Sequence, residues 1–268
     1  MVKKAIIPAA GYGTRGLPVT KVIPKEMFPI GAKPAIQYVV EEAFASGIEE
    51  LLIIVSRAKS LIVDYFDRSL ELEAFLERRN KAHLLKEEYI PAGQIYYTRQ
   101  PYARGLGDAV RIGKSFVGNE PFAVLLPDDI VLHDGTPAIR QLIEQYDRCG
   151  QSVIGLNEVE RSELHKYGVI RGELLANGMY RIEDMVEKPK TNPPSDLAVI
   201  GRYVFTPAIF PHLEALPSFE EEEIQLTEAI RRLAAAEGCQ GKLIAGTRFD
   251  IGTADGYMAL LSAVWKGN

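Results

Sequence analysis

Lys4-Ala5-Ile6-Ile7-Pro8-Ala9-Ala10-Gly11-Tyr12-Gly13-Thr14-Arg15-Gly16-Leu17-Pro18-Val19-Thr20-Lys21-Val22-Ile23-Pro24-Lys25 reads as an apolar strand, Ala5 to Ala9, running straight into a loop dense in glycine and proline. Gly11, Gly13 and Gly16 stand at the Gly-x-Gly-x-x-Gly spacing of a dinucleotide-binding turn. That turn works only if its third glycine opens a helix whose N-terminus faces the pyrophosphate. Here Pro18 and Pro24 exclude such a helix. The second strand also ends Val55-Ser56-Arg57, without the acid that would hold a ribose. What remains is a loop whose backbone N–H groups are not consumed in a helix, carrying Arg15, Lys21 and Lys25. Such a loop can wrap a compact anion, with Arg15 as a planar fork for phosphate oxygens and Lys25 as a movable point charge.

Outward from this stretch, strand-length apolar runs alternate with helical patterns. Pro34 fits the start of a helix with Ile36, Val39, Val40 and Ala43 on one stripe, closed by Gly47. Leu51 to Val55 reads as a strand buried on both faces. Then come a charged helical stretch (70–88), a strand (95–98), a helix (107–116), a strand (122–126), a helix (138–148) and a strand (153–156). The second half reads as short strands at 168–170, 180–183 and 199–205. A helix (224–237), a strand (242–245) and a last helix (254–266) close it. This alternation implies an α/β fold: a Rossmann-like, mainly parallel mixed sheet flanked by helices, with a smaller second lobe. No linker or repeat divides the chain, so residues 1–268 form one domain, with lobes of about 1–130 and 131–268.

The 268 residues carry a net charge of −5, which argues against nucleic acid as a partner. No apolar run approaches the roughly 20 residues of a membrane span, and the N-terminus lacks a signal-peptide core. Cys149 and Cys239 stand far apart, as reduced thiols of a cytoplasmic protein would. Charge is uneven: residues 1–33 hold six bases against Glu26, the pattern of a site for a compact anion. Gly113-Lys114-Ser115 ends like a P-loop, but its leading position is Asp108. No Gly-x-Ser-x-Gly elbow supplies an acyl-transfer nucleophile. Asp128 follows a buried strand, at the carboxyl end where open α/β sheets place ligands, and Asp250 likewise separates a strand-like run from a helix.

Gly11-x-Gly13-Thr14-Arg15-x-Leu17-Pro18-x-Thr20-Lys21-x-x-Pro24-Lys25-Glu26-Met27-x-Pro29 resembles the opening of the sugar-nucleotidyltransferases. The resemblance continues in order through Arg99-Gln100, Gly105-Leu106-Gly107, Leu126-Pro127-Asp128-Asp129, Tyr167-Gly168-Val169, Val186-Glu187-Lys188-Pro189 and Gly201-Arg202-Tyr203. Glu223-Ile224-Gln225-Leu226-Thr227 favours the uridylyl-transferring branch. The resemblance implies an enzyme that transfers UMP from UTP to glucose 1-phosphate, giving UDP-glucose and pyrophosphate by direct in-line attack. It assigns catalysis to Arg15 and Lys25, and Mg²⁺ binding to Asp128 and Asp250. The nucleotide would fall to Ala9, Ala10, Gly11, Gly13, Thr14, Gln100 and Gly105 in the first lobe. The sugar phosphate would fall to Gly168, Glu187, Lys188 and Gly201 in the second. Two departures stand out. Asp108 occupies a position where the family usually has histidine, and Asp250-Ile251-Gly252-Thr253 leans toward the thymidylyl branch. A thymidylyltransferase, or another sugar 1-phosphate nucleotidyltransferase of this fold, is therefore the alternative. The sequence leaves homo-oligomerisation open.

Overall fold

In the computed structural model, which describes residues 1–84, 93–217 and 223–267, the opening apolar run forms β1 (Lys4–Ala9). No α-helix follows it. Three single 3-10 turns, Thr14–Gly16, Val19–Lys21 and Lys25–Met27, carry the chain instead. A two-stranded ribbon, β2 (Pro29–Ile30) and β3 (Lys33–Pro34), leads into α1 (Ala35–Ala45). The chain continues through β4 (Glu50–Val55), α2 (Ser60–Phe66), α3 (Leu70–Arg78), β5 (Gln94–Arg99), α4 (Leu106–Ile112), α5 (Lys114–Val117) and β6 (Phe122–Leu125). Next come β7 (Asp129–Leu132), α6 (Ala138–Cys149), β8 (Ser152–Glu158), β9 (Gly168–Leu174), β10 (Tyr180–Glu187), β11 (Leu197–Phe205) and α7 (Ile209–Glu214). α8 (Leu226–Glu237), β12 (Cys239–Leu243), β13 (Thr247–Asp250) and α9 (Ala254–Gly267) complete it.

One nine-stranded sheet runs in the order β5-β4-β1-β6-β11-β8-β12-β10-β9, so both halves of the chain share it. The four strands from β5 to β6 are parallel, while β11 is antiparallel to both β6 and β8. From β1 the chain first builds outward through β4 and β5, then returns to lay β6 on β1's other side. The carboxyl ends of β1 and β6 therefore flank a topological switch point, where an open α/β sheet leaves a crevice.

Strand alternation sorts the core into two layers. Ala5, Ile7 and Ala9 face one way, onto α1 and α6 through Ile36, Val39, Val40, Ile139 and Leu142. Ile6 faces the other way, onto a layer built from α4, α7 and α8 with Val110, Leu213 and Ile230. Helices thus cover both faces of the sheet.

The structure differs from the sequence reading in several elements. The stretch expected as one helix over 70–88 is α3 alone, with residues 85–88 outside the described residues. The helix expected over 107–116 breaks at Gly113 into α4 and α5, and only glycine fits at the break, since a Cβ there would lie 2.3 Å from Ile6 Cδ1. The strand expected over 242–245 is β12 and begins at Cys239 rather than Lys242. α2, β7 and α7 had no distinctive periodicity and were not expected. Lys114 of the failed P-loop lies on the surface, paired with Glu214 at 2.6 Å.

Candidate active site

The glycine loop is braced from within. Gly13 has φ +64°, and its carbonyl accepts a 2.7 Å bond from the Thr20 hydroxyl. A Cβ at Gly16 would lie 2.6 Å from Thr20 Cγ2, so the loop closes on that threonine only with glycine there. Arg15 and Lys25 thereby face a cavity of about 210 Å³ lined by Gly13, Thr14, Asp128 and Gly252. The other bases of the segment do not join them. Lys3, Lys4 and Lys33 are paired with Glu49, Glu120 and Glu41, and Lys21 is exposed outside the cavity lining.

Asp128 stands in the turn between β6 and β7, and Asp250 ends β13. The antiparallel pairing of β7 with β13 sets Asp129 opposite Asp250 and so draws the two aspartates into one place. Ile251 N donates to the Asp128 carbonyl at 2.9 Å, and Gly252 N donates to Asp250 Oδ1 at 2.9 Å. A Cβ built on Gly252 would lie 2.9 Å from Asp250 Oδ1, 3.6 Å from Asp128 Oδ2 and 3.7 Å from Arg15 Nη1. Lys25 Nζ donates to Asp128 Oδ2 at 2.5 Å. Burial alone would lower the Lys25 pKa, but the charge and hydrogen bond of Asp128, with the charges of Glu26 and Asp250, together outweigh it and raise the ammonium above its ordinary value. Burial likewise pushes the Asp128 carboxyl up, and the charge and hydrogen bond of Lys25, with a backbone hydrogen bond and the Arg248 charge, together reverse this and hold it below the usual aspartate value. Both groups are therefore charged at neutral pH.

A second cavity of about 430 Å³ opens beside the first. Ala10, Gly11, Gly13, Thr14, Gln100 and Gly105 all line it. The Ala9 side chain does not. It is fully buried in the core because strand alternation turns it away while Pro8 and Ala10 face the cavity, so Ala9 can offer only backbone. Gly105 has φ +92°, and a Cβ there would lie 2.9 Å from the Ile224 carbonyl. Gly107 N donates to that carbonyl at 2.8 Å, and Ile224 N donates to Arg104 O at 2.8 Å. The Gly-Leu-Gly stretch and the segment at 223–224 thus hold each other in place.

A third cavity, about 250 Å³, collects Gly168, Glu187, Lys188 and Gly201 with Arg15, Asp128 and Asp250. Register sets Glu187 opposite Gly168. Glu187 Oε2 accepts from the Thr227 hydroxyl at 2.5 Å, and Lys188 Nζ lies 3.4 Å from Glu187 Oε1. Asp128 lines all three cavities.

Sequence reading missed the groups that hold this centre from behind. Arg202 is fully buried and spends all five N–H donors: two on Glu42 (2.9 and 2.7 Å) and three on the carbonyls of Leu126, Gly201 and Asp129. Asp129 points away from Lys25. It accepts from Gly201 N at 2.7 Å and pairs with Arg248, whose guanidinium lies 4.7 Å from the centre of the Tyr167 ring. Lys59 donates to both oxygens of buried Glu26, at 2.7 and 2.8 Å, fixing the turn that aims Lys25. Arg202 lay inside a quoted motif, but nothing in its spacing marks a buried guanidinium. Arg248 and Lys59 carried no sequence signal beyond being cationic.

Three cavities at the switch point of an α/β sheet meet where two bases face two carboxylates. Comparison with known proteins gives the family. Residues 4–266 match the nucleotidyl transferase family. A relative from Bacillus subtilis (strain 168) is 58% identical over 266 residues, covering 99% of this chain and 98% of its own length. The UTP–glucose-1-phosphate uridylyltransferase of Staphylococcus epidermidis (strain ATCC 12228 / FDA PCI 1200) is 49% identical over 96% of this chain and 90% of its own. A crystal structure of a UDP-glucose pyrophosphorylase complexed with UDP-glucose superposes with a TM-score of 0.88, at 43% identity, over all of both chains. The chain belongs to the nucleotidyl transferase family.

Proposed function

We propose that the protein transfers UMP from UTP to glucose 1-phosphate, releasing pyrophosphate and giving UDP-glucose. The observation that carries this reading is the junction at Asp128, where Arg15, Lys25 and Asp250 converge between a glycine-lined cavity and a hydroxyl- and carboxylate-lined one. Family membership and the activities named for relatives at 43–49% identity support the choice of substrates.

In this reading a phosphate oxygen of glucose 1-phosphate attacks the α-phosphorus of UTP in line. The bond from that phosphorus to the bridging oxygen breaks, and pyrophosphate leaves with its electron pair. The chain supplies no nucleophile. Its contribution is to hold two polyanions in register and to offset the charge they bring together. Arg15 forks onto phosphate oxygens, while Lys25, kept charged beside Asp128, sits at the junction as the principal catalytic cation and offsets the charge that develops on the leaving pyrophosphate. Gly11, Gly13 and Thr14 let backbone approach the triphosphate, and Ala10, Gln100 and Gly105 receive the base. Glu187 accepts from sugar hydroxyls, Lys188 meets the sugar phosphate, and Gly168 and Gly201 keep the floor of that cavity clear.

The donor set suits Mg²⁺. Among the described residues no cluster of three His, Cys, Asp or Glu gathers. The Asp128 and Asp250 carboxylates share one small space, and substrate phosphates and water would complete an octahedron. Bound there, Mg²⁺ would neutralise phosphate charge as a Lewis acid. The free thiols of Cys149 and Cys239 support a cytoplasmic setting for the reaction.

Pyrophosphate release in Mg²⁺ with glucose 1-phosphate, comparing UTP, TTP, CTP, GTP and ATP, tests the proposal. Strong release with UTP is expected. Release with TTP in preference to UTP would transfer the reading to the thymidylyl branch, and release with none of the five would overturn it.

A further inference from the structure

Gln100 is 4% exposed at the back of the base cavity, and its amide is not free to rotate between roles. Nε2 donates to Asp108 Oδ2 at 2.8 Å and to the Gly105 carbonyl at 3.2 Å. Both partners are acceptors, so both amide hydrogens are spent on them. Asp108 is itself fixed. It is buried, and its other oxygen accepts from Arg111 Nη2 at 2.6 Å, one turn along α4. The Gln100 backbone is anchored as well, with N donating to Val55 O at 3.0 Å. Gln100 Oε1 makes no hydrogen bond among the described residues and is not sealed from solvent, which leaves it open toward the cavity.

We propose that Asp108 is a positioning residue that locks Gln100 as a hydrogen-bond acceptor, so that the cavity selects bases presenting an N–H donor at that edge. This rests on the reading of the cavity as the base site. Uracil and thymine carry such a donor at N3, flanked by carbonyl oxygens. Cytosine presents a lone pair at the same atom and would meet the lone pairs of Oε1, and a carboxylate at position 108 prevents the amide from turning over to accommodate it. The acid thus excludes cytosine without touching the base, and it leaves uracil and thymine, which differ only in a methyl group, undiscriminated.

The test is the ratio of kcat/KM for UTP over CTP in the wild type, Asp108→Asn and Arg111→Met, with thermal melting to establish folding. In Asp108→Asn, Arg111 retains the amide oxygen, and the new NH₂ faces Gln100, competing with Gly105 for its orientation. The UTP-over-CTP ratio should fall at least about tenfold, through KM for UTP rather than through kcat. Arg111 is partly exposed, so its methionine variant folds even if the asparagine one does not, and it should move the ratio in the same direction by roughly threefold. A ratio unchanged in every variant that folds overturns the proposal. A wild type without UTP turnover defeats the function assigned above instead. In that case, UTP and CTP binding to the same variants, followed by calorimetry, decides the role of Asp108 separately.

Discussion

Replacing Glu42 by alanine should destabilise the protein by about 3–5 kcal/mol, because it strands a buried guanidinium. Arg202 is 0% exposed and Glu42 8%, so neither charge can turn to water. The substitution removes the two bonds at 2.9 and 2.7 Å that neutralise Arg202. It also removes the acceptor of Ile139 N, bonded at 2.8 Å in the first turn of α6. For a chain of this length the loss corresponds to a fall in melting temperature of roughly 6–20 °C. Arg202→Met should cost about as much, since it isolates the carboxylate and leaves the carbonyls of Leu126, Gly201 and Asp129 without their donors. Combining Glu42→Ala with Arg202→Met removes both charges, and the double variant should be less destabilised than the sum of the two singles by at least about 1–2 kcal/mol. Urea unfolding followed by circular dichroism, with calorimetry for melting, measures all four proteins. Additive losses, or a Glu42→Ala melting shift below about 2 °C, would refute the reasoning. Because Arg202 grips both ends of the turn that presents Asp128, Glu42→Ala should also lower turnover at a temperature where the variant is fully folded.

Lys25→Ala should lower kcat by about 10²–10³-fold while losing only the modest stability that a pair partly open to solvent supplies; equal turnover would remove Lys25 from its assigned role. Gly252→Ala should cut turnover at least about tenfold, because the added methyl enters the space between Asp250, Asp128 and Arg15. Steady-state kinetics beside a melting curve separates that effect from unfolding. The acid limb of stability should carry the Asp128 pairing. Its carboxyl titrates lower when folded than when unfolded, so the stabilisation is complete above about pH 4 and disappears as pH falls through the folded value. Urea midpoints between pH 5 and pH 2.5 should fall less steeply for Asp128→Asn than for the wild type.

Local sequence dictated the strand-loop opening. An apolar β1 must be buried, glycines at 13 and 16 let the loop close on Thr20, and Pro18 and Pro24 forbid the helix that a dinucleotide fold would need. The alternation of strands and helices likewise required a sheet covered on both faces, since each element has one apolar side to bury. Order along the chain was thereby legible, as were the positions of Arg15, Lys25, Asp128 and Asp250. Their meeting was implied by the family resemblance alone, and no local pattern in the chain carried it. Asp128 and Asp250 are brought together by the β7–β13 register, and Glu42 reaches Arg202 across the sheet. The same holds for the sharing of Asp128 among three cavities, the lock that Asp108 places on Gln100 and the turning of Ala9 into the core. Periodicity and turn chemistry act between near neighbours, so one strand of sequence carries them. A buried ion pair or a shared cavity depends on which distant surfaces pack against each other, and only the folded chain sets those distances.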